Sequence, residues 1–375
     1  MSSSTIRCTA KKAPKQQRPI ESSITITRKR NREIITILNE NPAVEKVTFD
    51  YCNGEITSHV LTAIFNLENL KTLNLENNSI HNKGTYKLFK KLVQSNLTSL
   101  NLSYNFICEE GAKVIADNLV HSKLQVLELF GNLIGPEGAC EIANNLIESN
   151  LTYLDIYSNN VSDEGVYGIA NNLIDSKIQY LNLDMNDIND EGVSAIARQL
   201  TSSNVKELSL SGNNFGYKSA IELAKNLVGS KVETLDLHWC RIGSQAITEL
   251  FKNLSYSNLT NLNLSRTSVC ITCVTDIVDG LTDSNLLTLK LCSNQVISSQ
   301  ALDIIKGLSG SKLTSLDLAH NVIKSLQHPN IKEWLMASQL IYLHLDDNII
   351  KDVSELDNIK QVWIDAGKLI DNLKI

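Results

Sequence analysis

No run of apolar residues in this chain approaches the roughly 20 that a membrane helix requires. A membrane span is therefore not the organising element, although hydrophobic residues make up 42% of the sequence. The segment Met1 to Ile20 carries Arg7, Lys11, Lys12, Lys15 and Arg18 and has no apolar core of the kind a secretory signal needs. The cysteines, Cys8, Cys52, Cys108, Cys140, Cys240, Cys270, Cys273 and Cys292, show no paired framework, which suits a reducing compartment. Glycosylation triplets such as Asn96-Leu97-Thr98, Asn101-Leu102-Ser103 and Asn263-Leu264-Ser265 fall on or beside expected strands, where a glycan would crowd its neighbours. Catalytic signatures are missing too: the chain holds no G-x-S-x-G, no His-Glu-x-x-His and no Gly-rich phosphate loop. These absences lead to the expectation of a cytoplasmic, non-catalytic protein without cofactor or metal.

What the chain has is charge asymmetry and a repeat. Residues 1–32 hold nine Lys/Arg against one acidic residue, Glu21, which leaves 26 Lys/Arg against 40 Asp/Glu in the remainder. An acidic body disfavours nucleic acid and favours partners of basic or mixed charge. The stretch Thr27-Arg28-Lys29-Arg30-Asn31-Arg32 allows nuclear import, contact with an anionic surface or a delivery signal. Its plainer reading is a solvated lead-in to a capping helix near Glu33 to Leu38.

The pattern L-x-x-L-x-L-x-x-N-x-I starts at Leu70, Leu97, Leu124, Leu151, Ile178, Val205, Val232, Leu259, Leu286, Leu313 and Leu340, a strict 27-residue period over eleven units. In the first half of each unit apolar and polar residues alternate, as in Leu100-Asn101-Leu102, which predicts a short strand with one face buried. In the second half the period becomes helical: Val166, Ile169, Ala170 and Leu173 form one stripe. Acidic pairs such as Asp163-Glu164 and Asp190-Glu191 lead the helices, where they can cap free N–H groups and complement the dipole.

Strands stack about 4.8 Å apart and helices about 8–10 Å apart, so a stack of such units bends with its sheet inside. The inner arc is on the order of 50 Å long. Asn78, Asn105, Asn132, Asn159, Asn186, Asn213, Asn294, Asn321 and Asn348 recur where the strand turns into the loop, and a buried amide there can bond backbone groups that the turn leaves unpaired. Cys240 and Thr267 take that place in two units, a local irregularity and not a domain boundary. The expected organisation is a basic disordered tail (1–30), a capping helix with a degenerate repeat at Val44, Val47 and Phe49 (31–69), eleven repeats (70–350) and a C-terminal cap with a shortened unit at Val362 and Ile364 (351–375).

A strand segment of this form followed by a helix in every unit resembles the leucine-rich-repeat superfamily, specifically its ribonuclease-inhibitor-like class, from Val44 to Ile350. The resemblance implies an α/β right-handed solenoid, a horseshoe with a parallel sheet on the concave face and helices on the convex face. That class includes inhibitors, activators of the small GTPase Ran, actin regulators, F-box adaptors and receptor sensor segments, so it leaves function open. A NOD-like receptor would need a P-loop, which the sequence lacks, and an F-box adaptor an extra helical domain, for which the residues ahead of the first repeat are expected to be too few. The Ran activators carry an essential Arg in an early repeat, whereas no Arg lies between Arg32 and Arg198 here.

In such a strand the polar positions between and just after the leucines face the concave surface. Repeats three to seven place Glu128, Phe130, Tyr153, Asp155, Tyr157, Tyr180, Asp184, Met185, Asp236, His238 and Trp239 there. Aromatics interleaved with carboxylates resemble interface hot spots, against the plainer reading that strand positions favour aromatics anyway. Cys270-Ile271-Thr272-Cys273 has the spacing of a zinc half-site, but no second pair accompanies it, and Cys273 aligns with Gly111, which favours a small-residue position. The expected function is a protein-interaction scaffold. Alternatives are a regulator of an enzyme, either a small-GTPase activator or an inhibitor of a basic enzyme, and a host-directed effector of an intracellular microbe.

Overall fold

The computed structural model describes residues 23–50, 56–269, 273–350 and 353–375. The chain divides into two compact units, Met1–Tyr180 and Leu181–Ile375.

In the first unit strands β1 (Ser23–Thr27), β2 (Lys46–Asp50), β3 (Thr72–Asn74), β4 (Ser99–Asn101), β5 (Val126–Glu128) and β6 (Tyr153–Asp155) alternate with helices α1 (Asn31–Glu40), α2 (Ser58–Phe65), α3 (His81–Leu92), α4 (Glu109–Leu119), α5 (Gly135–Asn144) and α6 (Ser162–Asn171). Each strand pairs in parallel with the next in residue-for-residue register, Leu100 beside Leu127 and Leu127 beside Leu154. Each helix packs on the next. Strand β7 (Tyr180–Asn182) contains the division.

The second unit repeats the plan with β8 (Glu207–Ser209), β9 (Thr234–Asp236), β10 (Asn261–Asn263), β11 (Thr288–Lys290), β12 (Ser315–Asp317), β13 (Tyr342–His344) and β14 (Leu373–Lys374). Its helices are α7 (Asp190–Gln199), α8 (Tyr217–Asn226), α9 (Gly243–Asn253), α10 (Val274–Thr282), α11 (Ser298–Gly307), α12 (Ile331–Ala337) and α13 (Val353–Asp365). All its strand pairs are parallel.

The core follows from the repeat. In the unit that starts at Leu151, the side chains of Leu151, Leu154, Ile156, Val161, Val166, Ile169, Ala170 and Leu173 are all buried. Full burial of a large aliphatic side chain is worth about 1.5–3 kcal/mol, but a single unit has no second layer of its own, so burial comes only from stacking. At the turn, the Asn105 Oδ1 accepts the backbone N–H groups of Asn78 and Ile80 at 3.1 Å each, and its Nδ2 donates to the carbonyls of Leu75 and Ser103 at 2.8 and 3.0 Å. Asn132 repeats this on Asn105, Ile107 and Leu102. In the second unit Asn213, Asn294 and Asn321 do the same. Where the row is broken, the Cys240 thiol donates to Leu210 O at 3.2 Å and the Thr267 hydroxyl to Leu264 O at 2.6 Å. Burial pushes that thiol up to about 12.

A second row is invisible to the leucine pattern. Ser95, Ser122, Ser149, Ser176, Ser203, Ser230, Ser257, Ser284, Ser311 and Ser338 each donate from Oγ to the carbonyl three residues earlier. The same oxygens accept the N–H of the leucine-position residue two residues later, as Ser122 does from Leu124 at 3.3 Å. Each serine thus closes one helix and opens the following strand.

Three expectations need correction. Ser23–Thr27, assigned to a disordered tail, forms β1 on β2, because Ile26 is an apolar residue that the first unit buries. Val362 and Ile364, read as a shortened repeat unit, lie in α13. There Trp363 is fully buried and its indole N–H donates to Leu369 O at 2.9 Å, so the end of the stack is closed by a helix and the last strand is β14. Asp190 does not cap its own helix: its Oδ1 takes the Gly216 N–H at 2.9 Å and the Ser219 hydroxyl at 2.5 Å in the next repeat, bonds that hold its carboxyl below the usual range.

The asparagine row sets a prediction. Asn105→Ala leaves two N–H and two C=O groups buried without their side-chain partner and should cost on the order of 3 kcal/mol or more. Cys240→Ala loses only weak thiol contacts, to Leu210 O and His238 O, and a little packing, and should cost about 1 kcal/mol. Urea unfolding followed by circular dichroism checks the order, and equal losses would contradict it.

Candidate functional site

Outward side chains on the strand side fall into three rows along each unit. In the first unit the earliest row includes Val126 and Tyr153 and continues to Tyr180, the middle row contains Asn74, Asn101, Glu128 and Asp155, and the last contains Glu76, Ser103, Phe130 and Tyr157. Glu128 and Asp155 are register partners on adjacent strands, about 4.8 Å apart at the backbone. The Tyr153 and Tyr180 rings stack face to face at 3.8 Å and 3°. Phe130 and Tyr157 stack at 4.2 Å and 6°, and Tyr104 tilts onto Phe130 at 4.4 Å. Two carboxylates therefore run between two aromatic walls.

Tyr104 has φ +54 and sits one position beyond the last row. Its ring lies over Gly131, where a Cβ would come within 2.6 Å of it, so a side chain at 131 would displace the first ring of the wall. The same arrangement recurs in the second unit: Met185, at φ +51, lies over Gly212, where a Cβ would come within 2.6 Å of Sδ.

The electrostatics follow from this packing. Glu128 is half-buried and accepts from Asn101 Nδ2 at 3.0 Å. Burial, then the like charges of Asp155 and Glu76, push its carboxyl up, against a weaker pull from Lys46. Two like charges at this spacing near a surface repel by up to about 3 kcal/mol, against about 1 kcal/mol in bulk water. Asp155 Oδ1 accepts the Tyr157 N–H at 3.0 Å and so fixes the turn that carries Tyr157. Burial, followed by the hydrogen bond with Tyr180, raises the Tyr153 phenol, which stays protonated.

The second unit also holds its carboxylates in hydrogen bonds. Asp184 Oδ1 accepts from Ser209 Oγ and Ser211 N, both at 2.6 Å. Asp236 accepts the His238 N–H at 2.7 Å and the Asn263 amide at 2.9 Å. Burial lowers the His238 pKa despite Asp236, and Arg266 and Lys290 lower it further, so the imidazole is neutral at neutral pH. Trp239, at φ +60, is 52% exposed.

All eleven candidate positions thus lie on the strand side of their units, six of them as stacked aromatics or adjacent carboxylates within one patch of the first unit. Sequence reasoning missed Tyr104 and the His344 pair: Nδ1 lies 3.3 Å from Asp317 and Nε2 lies 2.9 Å from Asp346. The 27-residue step from Asp317 to His344 was the available signal. Of the CxxC pair, Cys273 is buried and Cys270 lies outside the described residues. Among the described residues no group of His, Cys, Asp and Glu has the arrangement of a metal site, and no helix is long and apolar enough to cross a membrane. The basic stretch at 27–32 runs from the end of β1 into α1, with Lys29 and Glu33 paired at 3.7 Å.

A family profile described as Leucine Rich repeat matches residues 66–89, 93–116, 120–143, 149–170, 175–197, 201–224 and 311–325. Comparison with curated proteins finds no match. Among solved structures, a chain of the yeast Rad7 and Elc1 complex aligns with a TM-score of 0.60 at 19% identity, covering 81% of this chain and 77% of its own. A leucine-rich-repeat protein of Leptospira interrogans aligns at 0.50 and 18%, covering 93% and 90%. At such identities the likeness is one of fold. The repeat register, the asparagine row and the profile agree: the chain belongs to the leucine-rich-repeat superfamily.

The raised Glu128 carboxyl gives a signed prediction. A group whose folded pKa exceeds its unfolded value destabilises the fold above both values and ceases to do so below the unfolded one. Glu128→Gln keeps an acceptor for Asn101 and should raise Tm at pH 7 by on the order of 1–2 °C, with the difference vanishing near pH 4. Thermal melts at both pH values check it, and a loss of Tm at pH 7 would contradict the assigned repulsion.

Proposed function

We propose that this protein is a binding scaffold whose strand side holds a protein partner of basic or mixed charge. The observation that carries the reading is the pair of adjacent carboxylates Glu128 and Asp155 between stacked aromatics. Rigid aromatic side chains bury area at little entropic cost, and adjacent carboxylates set register and partner charge. The same carboxylates repel phosphate backbones, which favours protein over nucleic acid. The superfamily is in general one of binding scaffolds, and the yeast Rad7–Elc1 complex has a chain of similar fold assembled with a second protein. The role is binding without chemistry, with the ribonuclease-inhibitor-like arrangement of a full helix in nearly every repeat and a cytoplasmic setting. Inhibition of a basic enzyme is the version of this role that the acidic patch favours over activation of a GTPase.

The test is affinity capture with the intact protein beside a Tyr157→Ala, Asp155→Ala and Trp239→Ala variant, after circular dichroism has established that both fold. Loss of the captured protein from the variant, by about tenfold or more, supports the strand side as the site. Equal capture by both would move the site to the helices, the loops or the basic N-terminal segment.

A further inference from the structure

The helix side carries a charge pattern that strand-side binding does not use. Helix α3 holds Lys83, Lys87, Lys90 and Lys91 and no acidic residue. At about 3.6 residues per turn, Lys83, Lys87 and Lys90 fall in one narrow stripe, four and then three residues apart. A groove of about 650 Å³ runs between α2 and α3, lined by Leu61, Phe65, Tyr86, Lys87, Lys90 and Lys91, and α2 brings no acidic residue to it. Among the described residues none of these four lysines forms an ion pair, whereas Lys71 and Lys113 in the flanking units do, with Glu45 and Glu141. Seven repeats further on, the same register positions carry the opposite sign: Lys87 and Lys90 correspond to Asp276 and Asp279. With Asp283, which ends the helix, these aspartates form a stripe along α10, three and then four residues apart, and α10 holds no Lys or Arg. Asp279 and Asp283 are exposed, and Asp276 is half-buried with the Thr248 hydroxyl donating to it at 2.7 Å. Among the described residues no ion pair engages any of the three, although Lys252 lines the groove beside them.

We propose that copies of this chain associate through their helix sides, the lysine stripe of α3 on one copy lying antiparallel against the aspartate stripe of α10 on another. The two stripes match in the order of their spacings. Read from its N-terminus, α3 steps four residues and then three; read backwards from Asp283, α10 also steps four and then three. Laid antiparallel, the two helices bring Lys83 to Asp283, Lys87 to Asp279 and Lys90 to Asp276 together, at steps of about 6 and 4.5 Å along the axis. A parallel alignment leaves the middle pair one residue out of step. Helices α5 and α6 also lack cations, but Glu141 on α5 is tied to Lys113 at 2.7 Å, and Asp163 and Glu164 on α6 are neighbours in one turn and form no stripe. Like charges one turn apart on a helix repel each other, so each stripe is relieved by the other. A lone exposed ion pair contributes little. Three in register, beside the half-buried Phe65 ring and a Tyr86 ring that is 58% exposed, select one alignment of the two surfaces. This association uses the helix side and does not depend on the strand-side reading.

Two measurements on the full-length chain test it. Sedimentation velocity should show self-association that weakens tenfold or more as salt rises from about 0.1 to about 1 M, since the screening length falls from about 10 to about 3 Å. Carbodiimide coupling, which joins a lysine only to a carboxylate it touches, is run on a mixture of isotopically heavy and light copies. The expected heavy-to-light crosslinks join Lys83 to Asp283, Lys87 to Asp279 or Lys90 to Asp276. Charge reversal adds a third readout, after circular dichroism has established folding. A variant with Lys83→Glu, Lys87→Glu and Lys90→Glu and one with Asp276→Lys, Asp279→Lys and Asp283→Lys should each lose self-association by tenfold or more and regain it when mixed with the other. From -6, the first set of changes lowers the net charge by six and the second raises it by six to zero, so the mixture does not unite proteins of opposite net charge. Wild type that stays monomeric at concentrations on the order of 100 μM, or folded variants that do not associate when mixed, would overturn the proposal. Heavy-to-light crosslinks that join Lys83 to Asp276 and Lys90 to Asp283 would overturn the antiparallel register, and crosslinks of α3 found only within one copy would overturn the contact itself. Should a variant not fold, the crosslinks of the unaltered chain decide.

Discussion

The buried amide at the turn of the repeat is the interaction on which the other layers depend. A chain that leaves a strand and turns toward a helix exposes N–H and C=O groups that no ladder satisfies, and inside a stack there is no water to take them. Asn105 bonds four backbone groups of the turn with one side chain and links its own unit to the preceding one as it does so. The serine row does the corresponding work at the other end of each unit, between the end of the helix and the next strand. With both turns fixed, the leucines have one register available, and parallel strands follow each other without a shift. A 27-residue unit thereby becomes a rigid carrier for the few positions that remain outward.

Much of this was legible because the period is strict. Eleven L-x-x-L-x-L units give the strand, the helix stripe and the outward positions by counting, and the eleven candidate residues do fall on the strand side. What counting could not give was decided by backbone conformation and by neighbours 27 residues away. Tyr104, Met185 and Trp239 share one register position of the repeat, and its left-handed backbone is not marked by the hydrophobic pattern. Tyr104 joins the aromatic wall only because Gly131 leaves room for its ring. The role of His344 depends on Asp317 one repeat earlier. At the ends the period fails: β1 lies before the first L-x-x-L and next to a basic run, and Trp363 closes the core from a helix whose own residues mimic a strand alternation.

The two units carry the same scaffold and different surfaces. In the second unit outward carboxylates are used internally, Asp184 by Ser209 and Ser211 and Asp236 by His238 and Asn263, and Arg266 and Lys290 stand among them. In the first unit Glu128 and Asp155 sit together between rings, with the like charge of Glu76 acting on Glu128. Identical turn chemistry thus supports different surroundings for the outward carboxylates, rings and like charge in the first unit, hydroxyls, a histidine and cations in the second. That difference comes entirely from the variable positions of the repeat, and it is why the candidate site is assigned to the first unit's strand side.

The most direct test of that assignment is photo-crosslinking with a benzophenone side chain placed singly at Tyr153 on strand β6 or at Tyr167 on helix α6, where the native ring is 56% exposed. The account predicts that the partner is crosslinked from position 153 and not from position 167. Crosslinks from position 167 alone would contradict it and make the helices the binding surface.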